Sequence, residues 1–135
     1  MRAGPTLDTV ITGFSHAQLV VGDVEASGRW YEQVLGMERF VSGTFDGGAY
    51  LGLRSRSGRF VIGLQTGNGA GQSAMIEHLS FAVAGRDDLE AHRAAAVEAG
   101  LDVGDVFEEA ASWNVRLRDP DGLVVERSAA KSAPR

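Results

Sequence analysis

Cysteine is absent from this chain of 135 residues, which excludes disulfides, thiolate nucleophiles and cysteine-held metals. A cytoplasmic location is the matching expectation. Basic residues are outnumbered, 13 Lys and Arg against 18 Asp and Glu, so the net charge is opposite to the footprint that a phosphate backbone selects. Nucleic acid is not expected as a partner. No apolar run approaches the ~18 residues needed to span a bilayer, and the opening MRAGPTLDTV lacks a signal-like apolar stretch; neither a membrane partner nor export is expected. Histidine is scarce too, with three residues. Glycine is not: 18 residues scattered along the chain point to many tight turns and strand bends. The length suits one domain that buries roughly two thirds of its unfolded surface.

Two of the three histidines lie in similar stretches. GFSHAQLVV over 13–21 and MIEHLSFAV over 75–83 each read as a strand. Alternation puts His16, Gln18 and Val20 on one face, with Ala17, Leu19 and Val21 on the other. In the second stretch His78, Ser80 and Ala82 oppose Leu79, Phe81 and Val83. Each strand thus has one face for a core and one for a cavity.

The surrounding pattern repeats as well. Residues 1–12 read as a loose arm. Asp23 is a good N-cap, an apolar stripe runs through Val24, Tyr31 and Leu35, and Gly36 stops that helix. Three strands follow, over MERFVSG, AYLGL and FVIGLQ, and the glycine-rich 67–73 reads as a linker. A strand rather than a helix comes after it, which argues against a phosphate-binding loop. The second half predicts a helix over 87–99 stopped by Gly100, then strands over 101–107, 113–117 and 123–127, with the turn Asp119-Pro120-Asp121-Gly122 joining the last two. Residues 128–135 read as a disordered tail. His16 and His78 are 62 positions apart, Gly36 and Gly100 64. Two copies of strand, helix and three strands, over 13–66 and 74–127, make a duplicated module within one domain.

Duplication can bring equivalent residues to one point about a pseudo-twofold axis. His16 and His78 are therefore candidate metal ligands, and His92, among charged helix residues, reads as a solvated surface residue. Glu126 follows three apolar residues on the last strand; if buried, it needs a positive partner. Two imidazoles and a carboxylate would leave coordination positions open for substrate. Gln18 and Ser80 share faces with the histidines. On the strand before Glu126, either Trp113 and Val115 or Asn114 and Arg116 face the cavity, and an inward Arg116 would favour an anionic substrate.

The stretches GFSHAQLVVGDVEASGRWYEQVLGM, FVIGLQ, IEHLSFAV and RDPDGLVVER resemble the vicinal oxygen chelate superfamily, also called the glyoxalase, bleomycin-resistance and dioxygenase superfamily. The resemblance covers about residues 13–127 and implies an α+β fold in which two βαβββ modules form an incomplete, mostly antiparallel barrel. It implies a divalent metal, one of Zn, Ni, Mn, Co or Fe(II), with His16, His78 and Glu126 as ligands and Glu126 also at the catalytic centre. Gly63 stands where glyoxalase-like members place a fourth ligand, a glutamate, and Gln65, two residues on, could reach the same face. Gln18, Gln65, Ser80 and Arg116 are the expected substrate-binding residues. The implied protein is a homodimeric, metal-dependent enzyme of the glyoxalase type, a lyase or isomerase, acting on a small molecule with vicinal oxygens. Alternatives are an iron(II) extradiol-type dioxygenase and a metal-free antibiotic-binding resistance protein.

Overall fold

Asp23 starts the first helix through its own side chain. Its backbone is extended, with φ -142° and ψ 106°, and its carboxylate accepts a hydrogen bond from the Ala26 amide at 3.0 Å. That satisfies one of the donors a helix N-terminus leaves free. The helix, α1 (Val24–Leu35), ends at Gly36, whose φ of 63° lies in the left-handed region that favours glycine. Around it lie β1 (His16–Val20), β2 (Glu38–Phe45), β3 (Gly48–Arg54) and β4 (Val61–Gln65). The second copy comprises β5 (His78–Ala82), α2 (Arg86–Glu98), β6 (Phe107–Glu108), β7 (Ser112–Arg118) and β8 (Val124–Ala130). The structure, a computed structural model, describes residues 14–67 and 76–131; the expected arm, nearly all of the linker and the last four residues lie outside them. No helix among the described residues is long and apolar enough to cross a membrane.

Each module folds into one four-stranded mixed sheet, in the orders β1-β4-β3-β2 and β5-β8-β7-β6, and the two sheets do not close into a barrel. The first strand of each module runs parallel to the fourth, and the other pairings are antiparallel. This is the duplicated βαβββ arrangement expected from the sequence.

Two expectations fail locally. The strand expected over 101–107 is reduced to β6 and an isolated bridge between Val103 and Leu117. Arg93, on α2, donates to the Gly104 carbonyl at 3.1 Å and to Asp105 at 2.8 Å, tying that stretch to the helix. The tail expected from 128 onward begins instead as strand: Ser128, Ala129 and Ala130 pair with Asn114, Trp113 and Ser112. β7, which starts at Ser112, supplies the bonds that hold them.

The core fills the faces opposite the histidines. Leu19, Leu51, Leu53, Ile62 and Leu64 meet Trp30, Tyr31 and Val34 of α1, and the cluster continues through Leu79, Phe81, Leu117, Leu123 and Val125 of the second module. Each large aliphatic side chain buried there contributes about 1.5–3 kcal/mol. Polar bonds pin the modules to each other. The Tyr31 hydroxyl donates to Asp119 Oδ2 at 2.8 Å, and Asp121 Oδ1 accepts from the Gly22 amide at 3.1 Å. Burial raises the pKa of both Tyr31 and Asp119. Arg127 of β8 donates to the Val34 carbonyl in the last turn of α1, where a cation suits the helix dipole.

His92 departs from the surface position expected of it. It lies at i+3 from Leu89 and four before Ala96, both buried, so it shares the stripe that α2 turns toward its sheet. Val83, Asp88 and Arg127 lie around it, and its Nε2 has no hydrogen-bond partner among the described residues. Burial, and then the Arg127 charge, lower its pKa to about 4. The unfolded chain therefore holds a proton on this ring between pH 4 and 6.5 that the folded chain does not. Stability should be full above pH 6.5, fall as pH drops from there toward 4 and level off below it; with the ring half-buried, about 1–2 kcal/mol is expected. Chemical denaturation at pH 7 and pH 4.5 should show that loss, and His92→Gln should reduce it.

Candidate metal centre

Parallel pairing of β5 with β8 sets Ser80 opposite Glu126, and antiparallel pairing of β7 sets Arg116 on its other side. His78 is two residues from Ser80, on the same face. Trp113 and Val115 pack in the cluster with Leu89 under α2, which leaves Asn114 and Arg116 on the face of the histidine.

Glu126 is buried, at 4% exposure, and both of its oxygens are engaged. Oε1 accepts from the Ser80 hydroxyl at 2.8 Å, and Oε2 accepts from Arg116 Nε at 2.8 Å. Arg116 is thus the positive partner a buried carboxylate requires. Its guanidinium also lies 5.2 Å from the centre of the Phe107 ring and 3.7 Å from Glu77 Oε1. His78 presents Nε2 to Glu126 Oε1 at 3.8 Å and Nδ1 to Glu77 Oε1 at 3.3 Å. In the tautomer whose Nδ1–H donates to Glu77 Oε1, the Nε2 lone pair faces the buried carboxylate.

The first module repeats this register without the charge. Gln18 pairs with Gly63 where Ser80 pairs with Glu126. Gly63 is therefore the counterpart of Glu126, as expected, and Gln18 occupies the space above it: a Cβ added at Gly63 would lie 2.0 Å from Gln18 Oε1. Gln18 Nε2 donates to Gln65 Oε1 at 3.0 Å. His16 bonds Ser15 through Nδ1 at 3.0 Å and lines a cavity of about 330 Å³ with Gln18, Phe40, Tyr50 and Gly63.

The expected convergence is not found within one chain. Among the described residues no group of three or more His, Asp or Glu side chains could hold a metal. The structure brings together His78, Glu126, Ser80 and Arg116 on one sheet, and His16, Gln18 and Gln65 on the other. The shared core lies on the opposite faces of both sheets, so the pseudo-symmetry does not make the two polar faces meet. Glu77, Ser15 and Phe107 were not singled out from sequence. For the first two the only available signal was adjacency to a histidine.

The side chains present fit a divalent cation in part. Two donors of suitable chemistry face each other 3.8 Å apart, a span that two ligands with bonds of ~2.0–2.2 Å to one ion can bridge. One ring is already oriented by a carboxylate, as metal-bound histidines are. Among the described residues no third His, Asp or Glu completes such a group.

Residues 13–126 match the family described as the Glyoxalase/Bleomycin resistance protein/Dioxygenase superfamily, and the chain belongs to that superfamily. No curated protein matches the chain. Among solved structures, a glyoxylase/bleomycin resistance protein/dioxygenase domain from Frankia sp. EAN1pec is 26% identical with a TM-score of 0.77, covering 90% of this chain and 100% of its own. TnmS3, an antibiotic binding protein from Streptomyces sp. CB03234, is 18% identical with a TM-score of 0.76, covering 91% and 99%. A mutant of the fosfomycin resistance protein FosX from Listeria monocytogenes, complexed with Mn(II) and 1S,2S-dihydroxypropylphosphonic acid, is 16% identical with a TM-score of 0.75, covering 90% and 95%. The last two likenesses are of fold.

Gly63 has no left-handed φ, and the three atoms nearest to an added Cβ all belong to the Gln18 side chain. Gly63→Ala should lower stability by no more than about 1 kcal/mol, because the exposed end of Gln18 can swing aside at the loss of its bond to Gln65. In the Gln18→Ala background that cost should vanish, since space is then free; a double-mutant cycle by denaturant unfolding reads the coupling.

Proposed function

We propose that the protein is a metal-dependent, glyoxalase-like enzyme, a lyase or isomerase acting on a small substrate with vicinal oxygens in the cytoplasm. The observation that carries this reading is the pair His78 Nε2 and Glu126 Oε1, 3.8 Å apart, with His78 Nδ1 held by Glu77. His16 of a second copy is the third ligand in this reading, and the protein acts as a homodimer. His16 has its Nδ1 occupied by Ser15, and its Nε2 has no hydrogen-bond partner among the described residues.

The cation, of the Zn, Ni, Mn, Co or Fe(II) kind, supplies Lewis-acid polarisation of the substrate's oxygens when bound. The chain's own residues set the rest. Glu77 keeps the His78 ring in the tautomer that offers Nε2. Ser80 holds Glu126 Oε1 in place, so the carboxylate acts as ligand and not as a moving base. Gly63 and Gln18 put no carboxylate opposite Glu126, which removes the second proton carrier of a symmetric shuttle and leaves room for substrate. The amides of Gln18 and Gln65 offer that substrate both donors and acceptors.

A second reading is favoured by one observation. Arg116 and Ser80 already satisfy Glu126 without any metal, which suits a metal-free binder of small molecules; the fold likeness to the antibiotic binding protein TnmS3 agrees with it. An iron(II) dioxygenase would share the ligand set, but histidine is used up. The third one, His92, lies on the sheet-facing side of α2 beside Arg127 and does not reach the pocket as an acid or base.

Mixing variants tests the proposal. His16→Ala and His78→Ala should each bind Mn(II) at least ~10-fold more weakly than the native protein, as loss of one of three ligands implies. Co-refolded, they should regain one native-affinity site per mixed dimer, because one of its two sites then has all its ligands. Absence of recovery would mean that the site is not shared, and absence of Mn(II) binding by the native protein would favour the metal-free reading.

A further inference from the structure

The pair of Arg116 and Glu126 has unequal members. The Glu126 side chain is 6% exposed and fixed by Ser80, whereas the Arg116 side chain is 35% exposed. Arg116 also has two other supports beside Glu126: the carboxylate of Glu77 at 3.7 Å and the ring of Phe107 at 5.2 Å. A long, half-open cation with alternative contacts can leave; a buried carboxylate cannot.

Resting on the function proposed above, we propose that Arg116 is an exchangeable counter-ion: it neutralises Glu126 until a divalent cation takes over, and the released guanidinium then receives an anionic group of the substrate. The charges compel the exchange. A dication held by Glu126 would meet the Arg116 guanidinium as a like charge in a partly dry site, where repulsion is poorly screened. Glu126 needs only one of them.

The released group is well suited to an oxyanion. Guanidinium presents a planar fork of donors that matches a carboxylate, phosphonate or sulfonate in two bonds. Stacking on Phe107 would hold that fork at the rim of the polar face, next to the vicinal-oxygen position. The substrate class thereby narrows to a small oxyanion carrying vicinal oxygens. Cation and anion should bind with positive coupling, each strengthening the other by the same factor.

Titration calorimetry of the full chain with Mn(II), with and without sulfate as the probe anion, tests this. Arg116→Met should bind Mn(II) roughly tenfold more tightly than the native protein in the absence of sulfate, a coupling of ordinary size. Saturating sulfate should tighten Mn(II) binding by the native protein about fivefold or more and leave Arg116→Met unchanged. Unaltered or weaker Mn(II) binding by Arg116→Met, or a sulfate effect that survives in it, would overturn the proposal. If that variant does not fold, Arg116→Lys decides: the charge stays but the fork is lost, so the sulfate effect should fall at least about twofold, and an undiminished effect overturns the proposal. A native protein that takes up no Mn(II) would defeat the proposed function itself; uptake that Arg116→Met does not change would defeat only the exchange.

Discussion

Parallel pairing of the first strand of each module with its fourth is the constraint on which the rest depends. A parallel pair needs a long crossover, and α1 with β2 and β3, or α2 with β6 and β7, supplies it. The same pairing decides which residues become neighbours. Ser80 meets Glu126 and Gln18 meets Gly63, although 46 and 45 positions of chain separate them. Because side chains alternate, the register that buries Leu19, Leu64, Leu79 and Val125 is the one that lines up the histidines with the carboxylate. A one-residue slip would lose core and site together.

A buried carboxylate then sets the electrostatics. Desolvating Glu126 alone would cost several kcal/mol, and losing a partner after folding typically costs about 3–5 kcal/mol. Arg116 and Ser80 meet that demand in the chain by itself. This makes the second module a complete, neutralised polar cluster, while the first module keeps only amides and an imidazole at matching positions. The asymmetry between Glu126 and Gly63 is the main departure from the duplicated plan.

Much of the fold was legible because local chemistry and global pattern agree. Asp23, Gly36 and the alternating strands announce themselves within a few residues, and the repeat doubled each signal. The site was legible only one sheet at a time. Glu126 was expected to need a cation if buried, yet Arg116 as that cation depended on which face β7 turned inward, and the alternation allowed either. Convergence of His16 with His78 rested on pseudo-symmetry, which fixes equivalence but not distance. His92 was misplaced because its charged neighbours in sequence masked its position between Leu89 and Ala96 on the helix. The pull of Arg93 on Gly104 and Asp105 lies between elements that no periodic pattern connects.

The two polar faces therefore acquire meaning through what joins them. In the proposed reading His78 and Glu126 are two of three ligands, on one sheet, and His16, bonded to Ser15, is the third, on another. A crystal structure of the protein grown with Mn(II), with data collected at the manganese absorption edge, tests this most directly. The account predicts one anomalous peak per chain, bonded to His78 and Glu126 of one copy and His16 of another at ~2.0–2.2 Å. No peak there, or a peak whose ligands exclude Glu126, would contradict it.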